Sequence, residues 1–284
     1  SDVNVGTCLS GGLDSSSIVC VINRLMSEGS MEQVGQKQKV FTASYNDPTI
    51  DESSWARLVV NQTNASWHRV YPNSVDFINE FEDMVYTQDI PSFSAATYAQ
   101  YKVMQLAAES GVKVTLDGQG CDELFSGYAV HFTSFMAEAV KRGALGTVAA
   151  NLMSLGNNFA DPRIITWYPA KVVMANLFSG YFKKSGFRNR KKEFQYVDNN
   201  LWDENMERLA YLFHAIPTSL NQVLHKQFTG PDLKVLLKAG DRNSMRFSVE
   251  SRVAFADDIH LIEYVFGIPS SYKVKNGTSK YLLR

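Results

Sequence analysis

The 284-residue chain predicts an α/β fold, a parallel sheet flanked by helices and followed by a largely helical second half. Two observations predict it. Short apolar runs alternate with helical periodicity over the first half, and two glycine loops each leave an apolar run and open a helix.

In order, Val3, Val5, Cys8 and Leu9 read as a buried strand, and Ile18, Val19, Ile22, Leu25 and Met26 as the inner face of a helix. The polar stretch from Ser27 to Lys39 reads as a surface loop. Val40, Phe41, Ala43 and Tyr45 make a second strand, stopped by Asn46-Asp47-Pro48. Asp51-Glu52-Ser53 opens a helix through Trp55, Ala56, Leu58, Val59 and Val60, with acids expected in the first turn, where the helix dipole favours them. Trp67, Val70 and Tyr71 form a third strand, and Pro72-Asn73-Ser74 precedes a helix carrying Val75, Phe77, Ile78, Phe81 and Met84. Pro91 interrupts. Tyr98, Tyr101, Met104, Leu106 and Ala107 then mark a long helix, closed by Gly111 before the strand Val112, Val114, Leu116. From Ala129 to about Phe228 the pattern is helical, and Gly230 to Arg242 and Asp258 to Val265 read as further helices. Strand signals are few from Ala129 to Phe228, and the second half reads as mostly α, with no strand placed in it.

The bulk composition narrows the function classes. Hydrophobic residues are 45% and charged residues 20%, a balance typical of globular proteins, and the formal net charge of -1 gives no general attraction to nucleic acid or an anionic membrane. A short basic run, Lys183, Lys184, Arg188, Arg190, Lys191 and Lys192, lacks interleaved aromatics and reads as solvated surface. Cys8, Cys20 and Cys121 show no metal or disulfide spacing and read as reduced, buried thiols. The histidines are scattered and read as structural. No apolar run reaches membrane-span length and no signal peptide opens the chain, so a cytoplasmic location is the default expectation.

The first loop is Cys8-Leu9-Ser10-Gly11-Gly12-Leu13-Asp14-Ser15-Ser16-Ser17. Its glycines allow close backbone approach to a ligand, and Ser15 and Ser16 are expected to cap the helix whose free N–H groups suit phosphate oxygens. Asp14 would repel phosphate unless a cation bridged them, and Mg²⁺ takes carboxylate and phosphate oxygens together. The second loop, Asp117-Gly118-Gln119-Gly120-Cys121-Asp122-Glu123, repeats the design, so Asp14 and Asp122 could hold one ion from two sides. The bland alternative is a pair of glycine turns with acids favouring helix starts.

The first loop resembles the SGGxDS loop of the PP-loop ATP pyrophosphatases. Leu9 to Ser16, Asp117 to Tyr128, Asp241 to Val253 and Tyr272 to Arg284 together resemble the synthetase domain of glutamine-hydrolysing asparagine synthetases, in order over nearly the whole chain. The resemblance implies an adenine-nucleotide α-hydrolase-like core over residues 1–128, with 129–284 a helical remainder contributing to the acceptor pocket of one synthetase domain. It implies that Ser10, Gly11, Gly12, Ser15 and Ser16 hold the pyrophosphate of ATP, and that Asp14 and Asp122 bind Mg²⁺. Leu9, Ala43 and Ser44 would meet the adenine, Gly118, Gln119 and Gly120 the ribose, α-phosphate and acceptor. Lys280 would stabilise charge as pyrophosphate leaves. Arg242 and Glu250 would line the acceptor pocket or, alternatively, form a structural ion pair. The implied reaction adenylates the aspartate side chain and passes it to ammonia, giving asparagine and AMP. Ammonia would come from glutamine through an N-terminal glutaminase domain, expected here to be missing; a homodimer is the assembly entertained.

Three departures bear on the acceptor. Gln119 stands where many family members have Glu, and Ala254 and Ala256 replace an expected Pro and Leu. The two alanines, with Asn4 in place of a Pro before the first loop, read as packing changes; Gln119 keeps open a relative that activates another carboxylate, as in β-lactam synthetases or lasso-peptide cyclases, and a non-catalytic ATP-binding module is the other alternative.

Overall fold

The computed structural model describes residues 3–29, 32–90, 94–155, 198–205 and 219–284. The strands are β1 (Val5–Cys8), β2 (Lys39–Ala43), β3 (Ser66–Val70), β4 (Val114–Asp117) and β5 (Glu250–Val253). The helices, in chain order, are α1 (Leu13–Ser27), α2 (Ser53–Thr63), α3 (Ser74–Gln88), α4 (Ala95–Glu109), α5 (Cys121–Phe125), α6 (Ala129–Lys141) and α7 (Leu145–Leu155). They continue with α8 (Asn199–Glu204), α9 (Leu220–Thr229), α10 (Pro231–Arg246), α11 (Ala254–Asp257), α12 (Ile259–Gly267) and α13 (Ser270–Lys273).

The chain divides into two compact units, Ser1–Leu124 with Gln227–Gly267 and Leu283–Arg284, and Phe125–Lys226 with Ile268–Leu282. The first holds a five-stranded sheet of order β3-β2-β1-β4-β5, parallel at every pairing. Side chains alternate across a strand, and β2 shows the consequence. Val40 packs with Leu9, Val19 and Ala56 toward α1 and α2, whereas Phe41 packs with Val103, Ala107 and Val112 toward α4. Both faces of the sheet are therefore covered, as the alternating elements predict.

Four features differ from the sequence reading. The fifth strand, Glu250–Val253, joins the edge of the sheet in parallel with β4, where none was expected. The polar stretch before β2 contains a 3₁₀ turn at Glu32–Val34. Helix α2 presents Ala56, Val59 and Val60 inward while Trp55 and Leu58 face solvent, and its first turn has no acid, because Glu52 is the N-cap residue. Cys20 is exposed on the outer face of α1 and Cys8 is half-buried, so only Cys121 is fully buried as expected; among the described residues no cysteine is in a disulfide. The basic run from Lys183 to Lys192, His214 and Pro91 lie outside the described residues.

In the second unit, polar anchors hold the closing segment to the helices. Buried Glu138 of α6 accepts from Leu220 N–H at 2.7 Å and from Ser270 Oγ at 3.0 Å. Asn151 of α7 accepts from Gly277 N–H at 2.9 Å. Lys273, wholly buried, donates to Asn221 at 2.7 Å, and burial pushes its ammonium down to about 8.

Candidate active site

β1 sits between β2 and β4, so consecutive strands run outward in one direction from β1 to β3 and then jump to its other side. That reversal makes the carboxyl ends of β1 and β4 a topological switch point, where open α/β sheets form a crevice. Both glycine loops leave the sheet there. Thr7 pairs with Leu116, which sets the two loops off at the same level.

The first loop is braced by its own hydroxyls. Ser15 Oγ accepts from Ser10 N–H at 3.2 Å, lies 3.1 Å from Ser10 Oγ and donates to the Gly12 carbonyl at 3.2 Å. Ser10 Oγ also accepts from Gly12 N–H at 3.2 Å. The expected capping by Ser15 and Ser16 does not occur: Gly12 is the N-cap residue of α1 and supplies no side-chain cap hydrogen bond. The reason is that Ser15 is turned back into the loop, which leaves the helix start available to an anion. Ser16 Oγ is enclosed and makes no hydrogen bond, so its capacity is unspent. Gly11 has φ +90°, and a Cβ there would lie 2.7 Å from the Ala56 nitrogen, which is why the loop needs glycine.

The second loop touches the first. A Cβ on Gly118 would lie 3.1 Å from Asp14 Cβ and 3.2 Å from the Ser15 nitrogen. Gly120, φ +87°, presses on Ala256, whose Cβ would meet an added Cβ at 2.8 Å. The small residue at 256 is thus matched to the close approach of the second loop. Asp14 and Asp122 are both half-buried, one on each loop. Asp14 and Asp122 are the side chains on these loops that could hold Mg²⁺, a carboxylate being the protein ligand this ion takes in nucleotide sites.

Both loops wall a cavity of about 850 Å³. Leu9, Ser10, Ala43 and Gln119, all singled out from the sequence, line it together. Its other walls are mainly apolar, with Phe41, Ile50, Ile90, Val103, Val235 and Leu236, and with Lys238 and Glu52 as charged lining. Asp117 and Gln100 also line it, and sequence reasoning passed over both. Burial pushes the Asp117 carboxyl up, opposed by the Gln100 amide and by the backbone N–H groups of Gln119 and Gly118. Its neighbour Cys8 is pushed up by burial and by the Asp117 carboxylate.

The remaining sequence candidates are placed elsewhere. Ser44 is buried, its N–H given to the Val70 carbonyl at 2.8 Å and its hydroxyl accepting from Ser53 at 2.7 Å. Arg242 on α10 is paired with Asp89 and donates to the Thr87 carbonyl at 3.3 Å. Glu250 opens β5 and accepts from Arg252 at 2.7 Å, and that guanidinium holds its carboxyl below the usual range. Neither Arg242 nor Glu250 is among the residues lining the cavity. Lys280 lies in the second unit, half-buried, with φ +51°, a conformation that non-glycine residues adopt at a cost. Among the described residues no cluster of three or more metal-ligating side chains is present, and no helix is long and apolar enough to cross a membrane.

A parallel sheet flanked by helices, with a serine-glycine loop at its switch point and a second glycine loop against it, is an α/β fold of the PP-loop type. The chain belongs to the asparagine synthase family, which it matches over residues 1–284. It is 27% identical to the amidase chyE of Penicillium rubens over 320 aligned residues, covering 100% of this chain and 46% of that protein. It is 26% identical to asparagine synthetase (glutamine-hydrolyzing) 1 of Bacillus subtilis over 314 aligned residues, covering 100% of this chain and 43% of that one. An amidase of Gibberella zeae, chry2, is 24% identical with 100% and 46% covered. The chain thus spans less than half the length of these relatives.

Proposed function

We propose that the chain carries out ATP-dependent amide synthesis, activating the side-chain carboxylate of aspartate as an acyl-adenylate and passing it to ammonia. The supporting observation is the contact of the two glycine loops, Gly118 on Asp14 and Ser15, at the switch point of the sheet and on one cavity. Family membership supports the reaction class.

The open first turn of α1 and the braced Ser10–Ser16 loop would hold the pyrophosphate end of ATP, with Asp14 and Asp122 holding Mg²⁺. The ion, when bound, neutralises phosphate charge and eases pyrophosphate departure. A carboxylate oxygen of the acceptor attacks the α-phosphorus, and the bond to the β-phosphate oxygen breaks to release pyrophosphate. Ammonia then adds to the acyl carbon, loses a proton and expels AMP, forming the amide. The side chains act by placing reactants and excluding water.

The test is ATP–pyrophosphate exchange with a panel of carboxylic acids. Stimulation by aspartate supports the reading. Stimulation by a different acid alone supports the second reading, an amide-forming enzyme with another acceptor, which is favoured by Gln119 and by the apolar walls around Ile90, Val235 and Leu236. ATP binding with no exchange under any acid, and no AMP release when ammonia is also supplied, would sink both.

A further inference from the structure

Helix α10 carries an aliphatic side chain that its own packing does not explain. Its buried face runs through Leu233, Gly240, Asn243 and Ser244, at helical spacing. Val235 stands two residues past Leu233, about 200° round the helix, on the side of Lys238 where a surface helix carries polar residues. It is 61% exposed, and a β-branched residue is a poorer helix former than the straight polar chains that suit such a position. Leu236 beside it is 41% exposed, and Ile90, just past α3, is 52% exposed. All three line the 850 Å³ cavity. Single exposed aliphatics are ordinary on a protein surface. Aliphatics from separate elements that meet on one concave wall instead mark a place for the apolar part of a small ligand.

The nucleotide accounts for other parts of the lining. Ser10 and Gln119 belong to the glycine loops, and Leu9 and Ala43 stand at the ends of β1 and β2, so the α10 wall is left to the acceptor. Free aspartate has no apolar body. Besides its reacting carboxylate it presents an ammonium and a second carboxylate, and each needs a fixed counter-charge once out of water. The lining offers little of this. Lys238 and Glu52 are both exposed, where ion pairs are weak, and Gln119 is an uncharged amide. Asp117 Oδ2 already accepts from Gln100 Nε2 at 3.2 Å. We propose that the acceptor is a carboxylic acid carried on an apolar body, and that Ile90, Val235 and Leu236 are the specificity-determining residues that hold this body. An aspartate acylated on its amine and a simple aryl-substituted acid share that chemistry, because acylation removes the ammonium and adds the apolar group. The assignment rests on the amide-forming reading of the cavity.

The experiment is ATP–pyrophosphate exchange with free aspartate, N-benzoyl-aspartate and phenylpropanoate, each titrated for its apparent KM. An apolar acid should reach half-maximal exchange at a concentration about tenfold or more below free aspartate, the effect of a few methylene groups leaving water. Which of the two apolar acids responds identifies the source. Val235→Gln combined with Leu236→Gln puts good helix formers at exposed positions, so the melting temperature is kept. The double variant should raise the KM of the responding acid about tenfold while the KM of ATP stays within about twofold. A rise in both KM values, or in neither, overturns the role of these residues. Free aspartate matching or surpassing both apolar acids overturns the inference and leaves the amide-forming reading standing. No exchange with any carboxylic acid overturns that reading and the inference together. Should the double variant not fold, the native ranking and Val235→Gln alone still decide.

Discussion

Gly118→Ala tests the loop contact on which the proposed chemistry depends. The added Cβ would sit 3.1 Å from Asp14 Cβ and 3.2 Å from the Ser15 nitrogen. Carbon atoms rest at about 3.5–4.0 Å, so the loops must part by about half an ångström. The obstacle is the backbone of the first turn of α1, which cannot swing aside as a long side chain would. Overpacking of this kind costs about 1–3 kcal/mol of stability. The effect on chemistry is separable, because a displacement of 1 Å costs about 100-fold in rate and half of that shift costs about tenfold. Pyrophosphate exchange should therefore fall about tenfold, while the variant still melts cooperatively a few degrees lower. Gly146→Ala is the control, since a Cβ there meets nothing within 4 Å and exchange should be unchanged. A folded Gly118→Ala protein with native exchange rate and native dependence on ATP would refute the reasoning.

Other perturbations follow from the same geometry. Gly11→Ala combines φ +90° with a 2.7 Å approach to the Ala56 nitrogen, and should cost about 3 kcal/mol in urea unfolding, where a loss under 1 kcal/mol would contradict the strain. Asp83 accepts from Arg246 Nη2 at 2.9 Å, from its Nε and from Tyr101, which hold the carboxyl below its ordinary range. Its stabilisation is present above the unfolded value near 4 and is lost as pH falls through the lower folded value. Asp83→Asn should cost about 1 kcal/mol at pH 7, partial exposure screening the pair, and the difference from the native chain should vanish in acid; a gap that persists there would exclude titration as its source. Burial lowers Lys273 to about 8, so between there and the ordinary value near 10.4 the unfolded chain binds more protons and stability rises with pH. Lys273→Met should flatten that rise in melting temperature, and an unchanged slope would assign it to other groups.

The loops were legible in the sequence because their constraints are local. A glycine forced to φ +90° beside a serine that must reach back five residues writes itself into adjacent letters, and so does the strand-loop-helix order around it. The same holds for α3, whose N-cap Asn73 accepts from Val75 and Asp76 N–H groups within three residues. Strand β5 was not legible for the opposite reason. Glu-Ser-Arg-Val is a half-exposed edge segment with no apolar run, and what makes it a strand is Val114 to Asp117 offering a ladder from far away in the chain. Edge strands carry such charged residues because a bare apolar edge would invite pairing with other chains.

Asp117 was missed by the same logic at the level of the site. In the sequence it is an acid before a glycine, indistinguishable from a turn former. The setting of its carboxyl depends on Gln100, 17 residues earlier, and through it on Asn243, a further 143 residues away from Gln100. Asn243 sits beside Arg242, the residue that the family resemblance singled out; the structure pairs Arg242 outward with Asp89 and turns Asn243 inward to the Gln100 amide. One residue of helical rotation, about 100°, separates an ion pair from a connection to the cavity. Substitutions at 242 and 243 should therefore act through different observables, Arg242→Ala on stability with pyrophosphate exchange per folded molecule intact, Asn243→Ala on pyrophosphate exchange as well. Loss of exchange in Arg242→Ala at native stability would mean that α10 acts on the reaction through the face now given to Asp89.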